Sequence, residues 1–321
     1  MSLLSQLVDS PALKISRSPD FDHFRSIERL GEARSIPLDC RGFAASFAEV
    51  TLKSCAIFLQ QTFPRILQAQ YCSEGALVGL TMDDTSTVIL NGLDARPPSV
   101  LLVRGRAVCE IVEPQANLIA FVNFSSVENR GWPGERDRAQ LIAAGAARFE
   151  ALRAVIGDVL RLASHSPDAL SRPGLVEGAE ESILQAVDHA LNPVSRVLES
   201  RAANLSQYLS LVRSFDEYLE SNPGKTLYSA DVASQLGVSV RTLHNAIFTI
   251  RGLSMHRYTR LRRLWSVRQQ LVQGGHPESI KAIALVNGFW HLGEFLSLYR
   301  EIFRETPQQT LAARRQYSRS R

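Results

Sequence analysis

Ser229-Ala-Asp-Val-Ala-Ser-Gln-Leu-Gly237, continued by Val238-Ser-Val-Arg-Thr-Leu-His-Asn-Ala-Ile-Phe248, is the stretch from which the rest of the chain is read. Ser229 and Ser239 stand where helix N-caps are expected, since a hydroxyl there accepts from an unpaired backbone N–H. Gly237 permits the tight turn between the two helices. In the second helix Leu243, Ala246, Ile247 and Ile250 recur at the 3.6-residue period and share one face. Arg241, His244, Asn245 and Phe248 fall on the opposite side. One helix of this kind is ordinarily an amphipathic surface helix with a solvated polar face.

The pattern is repeated. Ser279-Ile-Lys-Ala-Ile-Ala-Leu-Val-Asn-Gly288 is a second helix and turn, followed by Phe289-Trp-His-Leu-Gly-Glu-Phe-Leu-Ser-Leu-Tyr-Arg-Glu-Ile-Phe303. Here Phe295, Leu298, Tyr299 and Ile302 form the apolar stripe, and Gly293, Ser297 and Arg300 face away. Thr306-Pro-Gln-Gln309 predicts a last helix with a capping box and Pro at its first position. Between the units, 254–273 reads as one unbroken helix rich in arginine. Twenty residues at 1.5 Å span about 30 Å, close to the ~34 Å between major-groove segments on one face of DNA. A polar face of Arg, His and Asn suits a major groove, where Arg forks onto guanine and Asn onto adenine. Two helix–turn–helix units on a rod of that length therefore point to duplex DNA.

These residues resemble the DNA-binding domain of the AraC/XylS family of transcription regulators. The pieces that match are Ala233 with Leu236-Gly237, Ser239-x-Arg241-x-Leu243, Arg260-x-Arg262-x-Leu264, Ile283-Ala284 with Gly288-Phe289, and Phe303 with Thr306-Pro307. The run Gly288-Phe-Trp-His-Leu-Gly293 is similar to the branch holding the XylS-like and ethanolamine-type regulators. The resemblance implies base contacts from Arg241, His244 and Asn245, and from Leu292, Gly293, Glu294 and Ser297 in the second unit. Phosphate contacts are expected from Ser239, Arg257, Arg260, Arg263, Lys281 and Arg300. Arg262 sits mid-rod and is as well placed to brace the interior. The first unit, with the longer polar side chains, is expected to carry most base discrimination. One position departs from the family, which has glycine after Phe303 where this chain has Arg304. The resemblance also implies promoter DNA and RNA polymerase as partners, and activation as the mode of control.

The chain has 321 residues, enough for two domains with proper cores. A hydrophobic content of 45% and a charged content of 21% are ordinary for a soluble globular protein. The net charge of +4 is unevenly spread. From Leu205 onward sixteen Lys and Arg face eight Asp and Glu; before it, twenty face twenty-four. A basic C-terminal part beside a mildly acidic partner fits a nucleic-acid-binding module and a second domain. No run approaches the roughly 18 apolar residues of a membrane span, and the start lacks a signal-peptide pattern, so a cytoplasmic protein is expected. Cys40, Cys55, Cys72 and Cys109 form no C-x-x-C pair and are expected to be buried or part-buried free thiols. No nucleophile elbow, P-loop, dinucleotide fingerprint or methyl-acceptor cysteine motif is present, and no enzyme is expected. Neither a cofactor nor a metal is expected.

The expected fold class is α+β. Residues 1–20 read as a flexible tail and 21–192 as a regulatory domain, in which 21–30 form a short helix or edge segment. From about 35 to 124 the signal is strands: Leu77–Met82, Thr87–Leu90, Val100–Val103, Ala107–Val112 and Asn117–Phe124 are short, apolar and β-branched. Asn91-Gly92 is a strong hairpin signal. Many short strands suggest a small barrel or sandwich, and this part resembles, more faintly, the cupin-like barrel of the same regulators. All seven histidines, among them His23, His165 and His276, lie outside the strand region, which argues against a metal-holding cupin. Helices are expected at 134–163 and 175–191, packing on the barrel; the resemblance implies dimer contacts there and hence a homodimer. A linker is expected at 193–204, the DNA-binding domain at 205–316 with helix–turn–helix units at 229–250 and 279–303, and a basic tail at 317–321. Apolar strands around a cavity would suit a small organic effector; a filled barrel that only dimerises or meets a protein partner remains the alternative.

Overall fold

The computed structural model describes residues 2–18, 31–127, 130–192, 196–197, 204–273 and 279–317. It divides into two compact units, Met1–Ser35 with Phe43–Arg201, and Ile36–Gly42 with Ala202–Arg321.

The first unit opens with the helix α1 (Leu3–Gln6) and the strands β1 (Lys14–Ser18), β2 (Gly31–Pro37), β3 (Ala45–Thr51) and β4 (Cys55–Gln61). A long strand β5 (Arg65–Thr81) follows, then the short β6 (Ile89–Leu90) and β7 (Leu93–Asp94), a second long strand β8 (Ser99–Glu113), and β9 (Leu118–Phe124). Next come β10 (Arg138–Ala143), the helices α2 (Ala146–His165) and α3 (Pro173–Ala190), and β11 (Arg196–Val197). The strands make one sheet in the order β1-β3-β4-β9-β5-β8-β10-β11, with β2 beside β5 and the β6–β7 hairpin beside β8. Neighbours along that path are antiparallel. The sheet curls into a half-barrel, where the sequence suggested a small barrel.

Side-chain alternation builds a core on each face of the sheet. In β9, Leu118, Ala120, Val122 and Phe124 pack with the helices, while Ile119 and Phe121 point the other way. In β4, Cys55, Ile57 and Leu59 join the helix side and Phe58 the opposite core. Phe149, Leu152, Ile156 and Leu160 of α2 and Ile183, Val187 and Ala190 of α3 all go into the helix-side core. The apolar stripes of both helices are therefore covered within the chain.

Several expectations change. The polar composition of 1–20 predicts a flexible tail, but Leu4, Leu7 and Leu13 are buried in the helix-side core and β1 pairs with β3 from Lys14↔Glu49 to Ser18↔Ala45. The polar composition hid an anchored edge strand, because three leucines suffice to hold it. Ala107–Val112 does not form a strand separate from Val100–Val103; both belong to β8, and Gly105 at φ +75 carries the backbone through the irregularity between them. The helix expected from 134 begins only at Ala146, after Gly145, because 138–143 pair with β8. Arg196–Val197, inside the expected linker, pairs with β10. Cys72 is exposed, unlike the other three thiols. The expected elements at 21–30, most of the 193–204 linker, and the basic tail beyond Tyr317 lie outside the described residues.

The second unit contains α4 (Leu205–Ser221), α5 (Ser229–Gln235), α6 (Val240–Arg251), α7 (Met255–Gln273), α8 (Ile280–Val286), α9 (Leu292–Phe303) and α10 (Pro307–Tyr317). Leu243, Ala246, Ile247 and Ile250 of α6 are completely buried, as the period requires. Burying a Leu or Ile side chain is worth about 1.5–3 kcal/mol, so this stripe holds α6 against α4 and α7. The 19 residues of α7 span about 28 Å at 1.5 Å each. That helix is the unit's spine: Tyr258, Leu261, Leu264, Val267 and Leu271 are buried, and so are Arg262 and Arg268.

Candidate nucleic-acid interface

Each helix–turn–helix unit is built by the same local chemistry. Gly237 at φ +68 and Gly288 at φ +83 take the left-handed backbone that turns one helix into the next. Ser239 caps α6, its hydroxyl accepting from Thr242 N at 3.0 Å, and Ser279 caps α8 through Ala282 N at 3.2 Å. At Thr306 the capping box is reciprocal: Thr306 N donates to Gln309 Oε1 at 2.7 Å and Gln309 N to Thr306 Oγ1 at 3.2 Å. Ser229 is not the cap expected of it. It lies inside α5, and its hydroxyl meets His244 Nε2 at 3.3 Å and Met255 Sδ at 3.8 Å.

Buried ion pairs lock the helices together. Asp216 on α4 accepts from Arg251 of α6 at 2.8 Å and from the Tyr258 hydroxyl of α7 at 2.6 Å. Arg262 donates to Glu220 at 2.8 Å and lies 3.9 Å from Asp216, so it is the internal brace. Burial pushes the Tyr258 hydroxyl far up from its usual range. Further along α7, Arg268 bridges Glu305 at 2.5 Å and the Tyr299 and Thr310 hydroxyls at 3.2 Å each. Burial raises the Tyr299 hydroxyl to about 12. The two tyrosine hydroxyls tie elements together, Tyr258 of α7 to Asp216 of α4 and Tyr299 of α9 to Thr310 of α10.

The outward faces carry the expected residues. Arg241, His244 and Asn245 are exposed on α6, and Gly293, Glu294, Ser297 and Arg300 on α9, with Leu292 half-buried at its start. Arg257 of α7 and Lys281 of α8 are exposed. Arg260 lies 3.8 Å from Glu294, which pairs one residue expected at phosphate with one expected at a base. Two expected phosphate ligands are otherwise engaged. The Ser239 hydroxyl serves the α6 cap, and half-buried Arg263 donates to the Lys225 carbonyl beside Gly288. Burial lowers the Arg263 pKa from its usual value. His244, Asn245, Arg260 and Arg263 line a single groove of about 650 Å³, whose wall also holds Phe248 and Trp290. Helical spacing puts Phe248 on the polar face of α6, and no period or cap marks Trp290, so neither aromatic stands out in the sequence. Both are strongly exposed, at 65% and 64%.

Residues 232–313 match a family described as a helix-turn-helix domain. The chain is 29% identical over 152 residues to the probable thc operon regulatory protein of Rhodococcus erythropolis, covering 46% of this chain and 44% of that one. It is 32% identical over 123 residues to the XylDLEGF operon transcriptional activator of Pseudomonas putida, covering 36% and 38%. The matches thus span well under half the length of these relatives. Among solved structures, a probable AraC family transcriptional regulator from Rhodopseudomonas palustris CGA009 is 33% identical, covering 33% of this chain and 97% of that one with a TM-score of 0.30. In the described residues no helix is long and apolar enough to cross a membrane.

Proposed function

The chain belongs to the AraC/XylS family of transcription regulators, and from that premise we propose that it binds promoter DNA sequence-specifically through α6 and α9 in successive major-groove segments. The observation that carries this is the pairing of a wholly buried apolar stripe on α6 with an exposed Arg241, His244 and Asn245 on its other side. On this proposal α6 supplies most of the base discrimination, because Gly293 and Ser297 reach little. Arg257, Lys281 and Arg300 meet phosphate. Arg260 shares itself between phosphate and Glu294, while Ser239 and Arg263 act mainly within the fold. Activation through RNA polymerase is the proposed mode, supported by the name of the Pseudomonas relative.

The first unit is proposed to act as a packed scaffold. A partly open pocket between Leu67, Leu101, Ile111 and Phe121 has a volume of about 40 Å³. Sites for organic ligands run to roughly 300–1,000 Å³. One observation favours the second reading, a small effector with adjacent donor and acceptor groups. The amide N and O of buried Gln60 and the hydroxyl of Thr81 line that pocket and find no hydrogen-bond partner among the described residues. A thermal-shift screen of small polar metabolites separates the two, since a ligand at 100 times its Kd stabilises by about 2.7 kcal/mol.

The DNA reading is tested by binding-site selection with the full chain and with Asn245→Ala. The variant should lose preference at one or two base positions, each worth about 1–3 kcal/mol. Stronger readout by 292–297 than by α6 would reverse the division of labour. Sequence-independent binding alone would favour a bridging protein without specificity of its own.

A further inference from the structure

We propose that Phe248 is a base-reading residue that recognises the C5-methyl group of a thymine one base-pair step from the pair met by Asn245. This rests on the reading that α6 enters the major groove. Phe248 continues the outward series 241, 244, 245 at helical spacing, and its ring is 65% exposed while Leu243, Ala246, Ile247 and Ile250 behind it are fully buried. The helix therefore had an apolar interior available and Phe248 is not in it. Phe248 and Trp290, both strongly exposed, line one groove, and a contiguous apolar patch of this kind marks a surface that is covered when the protein acts.

The surroundings say what covers it. The groove that Phe248 lines also carries Asn245, His256, Arg260 and Arg263, and the chain from Leu205 onward holds twice as many basic as acidic residues. That wall joins an apolar part, Phe248, Trp290, Leu227 and Met255, to the polar and basic Asn245 and Arg260, which suits a polyanion that carries an apolar spot. In the major groove of DNA the apolar spot is the thymine methyl, which Phe, Ala and Thr side chains meet. Three residues of helix advance about 4.5 Å along the axis, comparable with the ~3.4 Å rise of one base-pair step. With Asn245 on an adenine, Phe248 then reaches the adjoining step.

The experiment replaces each thymine of a selected binding site, one at a time, by deoxyuridine, which removes only the methyl. Affinities are measured with the full chain, wild type and F248A. With wild type, one position should weaken about fourfold, the value of one buried methyl-sized group. F248A should bind the thymine and uracil sites equally, and N245A should keep the methyl dependence while losing the neighbouring base. The substitution on the DNA side needs no altered protein, so a folding defect in F248A cannot mimic the result. The proposal is overturned if no thymine shows methyl dependence, or if the dependence survives in F248A. If R241A and N245A also leave sequence preference intact, the placement of α6 fails and this inference fails with it.

Discussion

At the scale of single residues, Arg304 shows how a departure from pattern is accommodated. It sits at the C-cap of α9 with φ +60 and ψ +16, the left-handed conformation that favours glycine. An L side chain there costs roughly 1–2 kcal/mol. Its backbone N–H still closes the helix on the Arg300 carbonyl at 3.0 Å, and its guanidinium meets Asp39 at 3.4 Å. That exposed pair contributes under about 1 kcal/mol. Arg304→Gly should therefore raise stability by roughly 0.5–1 kcal/mol, read as a higher Tm. Burial alone would raise the Asp39 carboxyl, but hydrogen bonds from Arg41 and Arg304 hold it below its ordinary value. A lowered carboxylate contributes above its unfolded pKa and loses that contribution as pH falls through its folded pKa. The advantage of glycine should thus grow on acidification below about pH 4. A lower Tm in the variant at neutral pH that recovers on acidification would show that the Asp39 contact outweighs the backbone strain. Asn91-Gly92 is the contrasting case. Both residues have positive φ, at 51 and 81, and close the Leu90↔Leu93 hairpin that their identity predicts.

At the scale of elements, the joint between α4, α6 and α7 is centred on one buried carboxylate, with Glu220 bracing its edge. Asp216 is 6% exposed and faces Arg251, Tyr258 and Arg262. Asp216→Asn keeps the shape but removes the carboxylate charge to which completely buried Arg251 donates. Breaking one side of a buried pair costs about 3–5 kcal/mol, so the urea midpoint of the second unit should fall by that equivalent. A loss below about 1 kcal/mol would mean that the arginines find other acceptors. The same joint explains a limit of sequence reading. Arg257, Arg260, Arg262, Arg263 and Arg268 look alike along α7, and spacing alone marked Arg262 only as even-handed between brace and ligand. Which arginine is turned inward depends on Asp216 and Glu220 of α4 and on Glu305 in the turn before α10, all far from α7 in the chain.

At the scale of the whole molecule, the charge asymmetry predicts how DNA binding responds to salt. Neutralising Z phosphates makes log K fall with log salt at a slope of about −0.9Z. Replacing exposed Arg257, Lys281 or Arg300 by Ala should each flatten that slope by about one and weaken binding evenly across sequences. Ser239→Ala should act mainly on stability, through the lost cap. Slopes unchanged by all three basic substitutions would remove those residues from the phosphate contacts. The basic residues of α7 that brace the fold, Arg262 and Arg268, overstate what the net charge of this half offers to DNA.

The amino-acid sequence by itself determined the two helix–turn–helix units, their stripe and outward faces, the glycine turns, the capping box and the α+β class. Those features are written in periods of two to four residues, where local sterics and hydrogen bonding decide. Only the tertiary structure decided that the first residues anchor an edge strand, that β8 runs through its apparent break, and that the sheet curls into a half-barrel. It also decided which hydroxyls and arginines are already engaged. Each of those outcomes turns on partners far apart in the chain, brought together by packing that no local period records.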